Sequence, residues 1–154
     1  MSNVYRNTSL TLPEVFKRVA AMKDATNEEK AKELSYYDSV TLQWFVDVMY
    51  NAPVGGIDIP QYVESQLPIG NHYSTLHTVR SKLESIIADK NSLASTRSLR
   101  LILENVHANE AVLIADLLKG NKVNGISKGV FKKLYPEFFQ ESGNQTLEEL
   151  MEED

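Results

Sequence analysis

The sequence predicts an all-α protein, an irregular bundle of about seven helices. Three observations carry this. Apolar residues recur at three- and four-residue intervals along most of the chain. Helix-start residues, Thr, Ser, Asp or Asn, stand repeatedly just ahead of those apolar runs. Strand-like alternation is confined to Ile57-Asp58-Ile59, a weak extended piece set among Pro53, Gly55, Gly56 and Pro60, which disfavour both helix and central strand.

The elements follow in order. Leu12 to Lys23 carries Leu12, Val15, Phe16, Val19 and Ala20 at helical spacing, with Thr11 as cap and Pro13 in the first turn. Asp24 to Asn27 punctuates it. Thr26 and Glu29 form a capping box for a second helix running to about Tyr36. Asp38 or Ser39 caps a third, Val40 to Tyr50, with Leu42, Phe45, Val46 and Met49 on one face. Asn51 to Pro60 is a break, and Gln61 to Leu67 has room for a turn or two of helix before Pro68 and Gly70. A long helix spans about Ser74 to Lys90 with a stripe of Leu76, Val79, Leu83, Ile86 and Ile87. Ser95 or Thr96 starts the next, with Leu99, Ile102, Leu103 and Val106 facing inward. Asn109 caps Glu110 to Lys119, which Gly120 stops. Ser127 caps a short helix containing Val130, Phe131 and Leu134, ended by Pro136. Thr146 and Glu149 fit a capping box for a marginal helix, Gln145 to Met151. Residues 1–139 read as a single helical domain and 140–154 as a flexible acidic C-terminal tail.

The 154 residues are 42% hydrophobic and 24% charged, which suits a folded domain and not a disordered chain. There is no cysteine, so disulfides, thiolate metal sites, Fe–S clusters and cysteine nucleophiles are excluded. No apolar run approaches the ~20 residues that span a bilayer, and Met1 to Arg6 lacks the order of a signal peptide. The expectation is a soluble cytoplasmic protein without membrane contact.

Charge is unevenly placed. The net charge is −5, yet seven acids (Glu137, Glu141, Glu148, Glu149, Glu152, Glu153 and Asp154) lie in the last eighteen residues with no Lys or Arg. Everything before them holds all 16 basic residues against the other 14 acids. Five lysines, Lys119, Lys122, Lys128, Lys132 and Lys133, fall between Asp116 and Glu137 with no acid among them. Such an asymmetry suits either a solvated face followed by a solubilising tail, or a polyanion contact for which the tail competes.

Signatures of catalysis are absent. There is no Gly-rich phosphate loop, His-Glu-x-x-His or Gly-x-Ser-x-Gly. His72 and His77, five apart, do not align on one helical face, and His107 is distant. The expectation is a non-enzyme without metal or cofactor. Tyr36, Tyr37, Trp44, Phe45 and Tyr50 read as core, and Phe138 and Phe139 as anchors of the last helix.

The most informative stretch is Leu117 to Pro136. A helix ends at Gly120, a polar loop follows, and Gly125-Ile126-Ser127 leads into a second helix. Free N–H groups at a helix start form an anion site. Lys128 and Lys132 are one turn apart beside it, and Gly125 permits close backbone approach. The pattern reads as a phosphate-backbone clamp without base-reading apparatus.

This segment resembles the end of the N-terminal DNA-binding domain of ATP-dependent DNA ligases, particularly those of T-even-type bacteriophages. In that family a helix ends at a polar Gly-containing loop, an Ile-led short helix follows, and a Leu-x-Pro-like end closes it. The matching residues here are Leu117 to Gly120, Gly125-Ile126-Ser127, and Val130 to Pro136. Upstream, Leu12 to Ala31 looks like the domain's opening helix pair, with Ser39 to Asn51, Ser74 to Lys90 and Ser95 to Val106 in the expected order, so that the likeness covers about Leu12 to Phe139. Lys-x-Asp-Gly, the ligase motif whose lysine takes up AMP, does not occur. The resemblance therefore implies a DNA-binding module standing alone, without ligase activity, as a small phage-encoded protein of the host cytoplasm that grips duplex or nicked DNA across the minor groove. Lys119, Lys122, Gly125, Ser127, Lys128, Lys132 and Lys133 are the positions that inherit phosphate binding. The alternative is a protein-interaction module on the same scaffold, binding a replication, repair or transcription protein, with Leu147, Leu150 and Met151 on one side of an induced helix.

Overall fold

The computed structural model describes residues 11–67 and 74–139, and these residues are all-helical, with seven α-helices and no strand. In order they are α1 (Leu12–Ala20), α2 (Asn27–Ser35), α3 (Val40–Asn51), α4 (Leu76–Ala88), α5 (Leu93–Asn105), α6 (Ala108–Lys119) and α7 (Lys128–Leu134), followed by a 3-10 helix, Pro136–Phe139. None is long and apolar enough to cross a membrane. The chain forms two compact units. The first joins Met1–Asn51 to Val123–Asp154 and the second is Ala52–Lys122. The two units meet along the chain after residue 51 and again after residue 122.

In the first unit, short helices begin where polar caps precede apolar residues. The Thr11 backbone N–H donates to Glu14 at 2.9 Å, and the Thr26 N–H donates to Glu29 at 2.8 Å. Ser39 caps α3, its hydroxyl accepting from the Leu42 N–H at 3.0 Å. α1 ends at Ala20, three residues before the expected Lys23, because the chain turns at once through Met22. Phe131 of α7, fully buried, is the hub. Its ring meets Phe16 edge-on at 6.1 Å and Tyr50 at 5.8 Å, and Phe16 reaches Phe45 at 5.4 Å. Phe45 and Tyr37 are buried, as expected of core residues, while Tyr36, Trp44 and Tyr50 are only half-buried.

The Tyr135 hydroxyl donates to Asp38, joining the C-terminal end of α7 to the turn before α3. Burial first, and this hydrogen bond second, push the Tyr135 phenol far above its ordinary value. Burial also raises Tyr50, and burial with nearby acids raises Tyr62 of the second unit. A phenol whose pKa is higher folded than unfolded contributes stability that is fully present below the unfolded value of 10.0. That contribution is lost as pH climbs through the folded value. In a titration followed at 295 nm, three of the seven tyrosines should ionise late, with Tyr135 the latest. Tyr135→Phe should remove that last step. One phenolate transition near pH 10 in the folded protein would contradict this assignment.

The second unit is built on α4, α5 and α6. The α5 cap is Ser92, not Ser95 or Thr96: its hydroxyl accepts from the Ser95 N–H at 3.0 Å, and Ser95 lies buried in the first turn. The earlier start is set by Asn91, which adopts a left-handed conformation (φ 61°). Its side chain donates to the Gly56 carbonyl at 3.0 Å and accepts from the Asp58 N–H at 2.8 Å. α6 likewise is capped by His107 rather than Asn109, His107 Nδ1 accepting the Asn109 N–H at 3.1 Å. Glu110, buried in the first turn of α6, accepts the Leu76 N–H at 3.3 Å and so satisfies an open donor at the start of α4. Residues 61–67 form no helix; the Val63 N–H is instead held by Glu104 at 2.8 Å.

Candidate functional site

The seven expected phosphate-binding residues are divided between the two units. Lys119 and Lys122 belong to the second, and Gly125, Ser127, Lys128, Lys132 and Lys133 to the first.

In the first unit α7 packs along α2, burying Gly129, Val130 and Phe131 and turning its three lysines away from the core. Lys128 and Lys133 are exposed and Lys132 is half-buried. Among the described residues none of the three is paired with a carboxylate. The Lys128 ammonium sits 5.9 Å from the centre of the Phe139 ring, a cation–π contact. The Phe139 ring packs against Tyr50 at 5.0 Å with the ring planes tilted by 57°, and Asn51 donates to the Phe138 carbonyl at 2.9 Å. The Phe139 ring and the Phe138 backbone thus tie the chain after α7 to α3.

The packing of α2 on α7 adds a cation that the local pattern did not reveal. Lys30, 95 residues away in sequence, donates from Nζ to the Gly125 carbonyl at 3.4 Å. Only the tertiary pairing of the two helices brings it there. α2 also presents Glu29, whose carboxyl is engaged by the Thr26 backbone N–H and held below the usual carboxylate value.

The helix start itself differs from expectation. Ser127 occupies the cap position, but its hydroxyl makes no cap bond and instead donates to the Asn27 carboxamide oxygen at 3.4 Å. The Val130 N–H is bonded to the Ser127 carbonyl at 3.1 Å, and Gly129 is buried. Gly125 has φ +82°, and a Cβ there would lie 2.6 Å from the Ala20 Cβ. The close approach that this glycine permits is to the end of α1.

In the second unit Gly120, at φ +87°, closes α6 with a Schellman arrangement. The Gly120 N–H donates to the Leu117 carbonyl at 3.0 Å and the Asn121 N–H to Asp116 at 2.9 Å. The Leu118 carbonyl accepts the Gly55 N–H at 3.0 Å, and a Cβ on Gly120 would lie 3.2 Å from the Gly55 Cα. Lys90 donates to the Gly55 carbonyl at 3.1 Å. Lys119 lies 3.8 Å from Asp116, so part of its charge is met locally. Lys122 is exposed.

No family model, curated protein or solved structure matches this chain. What the arrangement can do chemically thus rests on its own geometry. Lys30, Lys128, Lys132 and Lys133 present ammonium groups in one unit. Among the described residues there is no group of three His, Asp or Glu side chains suited to a metal ion. Leu147, Leu150 and Met151, the expected partner-binding residues, lie outside the described residues.

Proposed function

We propose that this protein is a non-enzymatic binder of duplex or nicked DNA that contacts the phosphate backbone with little sequence preference. The observation that carries the proposal is the set of three lysines on α7 without carboxylate partners among the described residues, joined by Lys30 across from α2. Lysine ammonium groups are point charges suited to phosphate oxygens and do not discriminate bases. The likeness of Leu117 to Pro136 to the ligase module points to the same ligand.

Four lysines neutralising about four phosphates give a plot of log affinity against log salt with a slope of about −3 to −4, so binding is modest and strongly salt-dependent. The test is fluorescence anisotropy of a labelled nicked duplex titrated with the full chain, alongside Lys128→Glu/Lys132→Glu. The double variant should bind at least roughly tenfold more weakly and show a shallower salt slope, since each reversal replaces an attraction with a repulsion. Unchanged binding by the variant, or none by the native chain at low salt, would refute the proposal. Circular dichroism of the variant checks that its helices are intact.

One observation favours a protein partner instead. Leu93 and Leu101, 68% and 61% exposed, lie about two turns apart on the outer face of α5 beside exposed Arg97 and Arg100. A partner held there is insensitive to the α7 reversals, which separates the two readings.

A further inference from the structure

We infer that the chain's own acidic segment, 141–154, occupies the α2–α7 lysines and competes with DNA for them. The inference rests on the proposed DNA-binding role of those lysines and adds how that site is regulated. Three observations lead to it. Six acids (Glu141, Glu148, Glu149, Glu152, Glu153 and Asp154) follow residue 140, and no Lys or Arg lies among them. Lys128, Lys132 and Lys133 meet no carboxylate among the described residues. The last described residue before the segment also lies beside these lysines. The ring of Phe139 packs against Tyr50, and its centre lies 5.9 Å from the Lys128 ammonium.

Geometry makes the encounter easy. The fifteen residues that follow Phe139 can span up to about 50 Å when extended. α7 is about 10 Å long. The lysines are therefore well inside the segment's reach, and a tether this short gives an effective carboxylate concentration on the order of millimolar. Opposite charges held so close attract, and salt weakens the attraction with a screening length of about 10 Å at 0.1 M. No fixed conformation of the segment is required. A set of carboxylates lingering near the ammonium groups is enough to raise the cost of admitting a phosphate backbone.

The test keeps the chain at full length and neutralises the segment with Glu148→Gln, Glu149→Gln, Glu152→Gln and Glu153→Gln. At low salt this variant should bind the labelled nicked duplex roughly three- to tenfold more tightly than the native chain, with the gap narrowing as salt rises. Equal affinities would overturn the inference and leave the DNA-binding proposal standing. A second readout does not use DNA. Zero-length carbodiimide coupling of the native chain, mapped by mass spectrometry at low and high salt, should join Lys128, Lys132, Lys133 or Lys30 to Glu148–Glu153, more at low salt. If neither protein binds DNA, the DNA-binding proposal falls, and the coupling alone decides whether the acidic segment contacts the lysines. Absence of those cross-links at low salt overturns the inference in either case.

Discussion

Phe131→Ala is expected to destabilise the first unit by about 3–5 kcal/mol, the cost of deleting a large buried side chain and leaving a cavity behind it. Phe131 is fully buried and its ring touches both Phe16 and Tyr50, on α1 and α3. Alanine removes the only large fully buried side chain that α7 contributes. Total stabilities of single domains are about 5–15 kcal/mol, so this loss is a large part of the whole. The measurement is the denaturant midpoint, with Val40→Ala as control. Val40 is 58% exposed, and its truncation should change stability by no more than about 0.5 kcal/mol. A change of under about 1 kcal/mol for Phe131→Ala would mean that α7 is not held as described. Because the same helix carries Lys128, Lys132 and Lys133, the DNA binding we propose should weaken in this variant in step with its folded fraction.

Gly125→Ala should cost about 2–4 kcal/mol, from two separable sources. One is the left-handed backbone at φ +82°, which a Cβ disfavours. The other is overlap, since the added Cβ would sit 2.6 Å from the Ala20 Cβ and 3.3 Å from its Cα, atoms of a helix end that cannot swing aside. Gly56→Ala isolates the first source. Its φ is +75°, and an added Cβ there meets nothing within 4 Å. It should cost only about 1–2 kcal/mol. Equal costs at the two positions would show that contact with Ala20 contributes nothing. This contact gives Gly125 a role in holding the α7 approach loop against α1, next to the carbonyl that receives Lys30.

Much of the helix inventory was legible in the residues. Thr11, Thr26 and Ser39 at starts, Gly120 at a stop, and the apolar stripes of α3 and α4 act within a turn or two of themselves, so local pattern reveals them. Boundaries failed where a distant contact selects among local alternatives. Ser92 prevails over Ser95 because Asn91 is pinned to the Gly56–Asp58 loop, some 33 to 35 residues earlier. The cap expected of Asn109 is taken by His107, whose Nδ1 is an uncommon capping acceptor.

The candidate site divides along the same line. The sequence by itself determined the all-α class and the placement of charge, with five lysines in one stretch and seven acids after it. Composition and short-range periodicity are properties of the chain alone. Tertiary structure decided which charges share a unit: Lys30 joins α7, while Lys119 and Lys122 fall in the other unit. It also decided that Gly125 is required by Ala20, and that the Ser127 hydroxyl turns to Asn27 instead of capping α7. The physical reason is common to all three. Each is a contact between residues about 90 to 105 positions apart, created by apolar burial of α7 with its neighbours, and no local pattern encodes the partner.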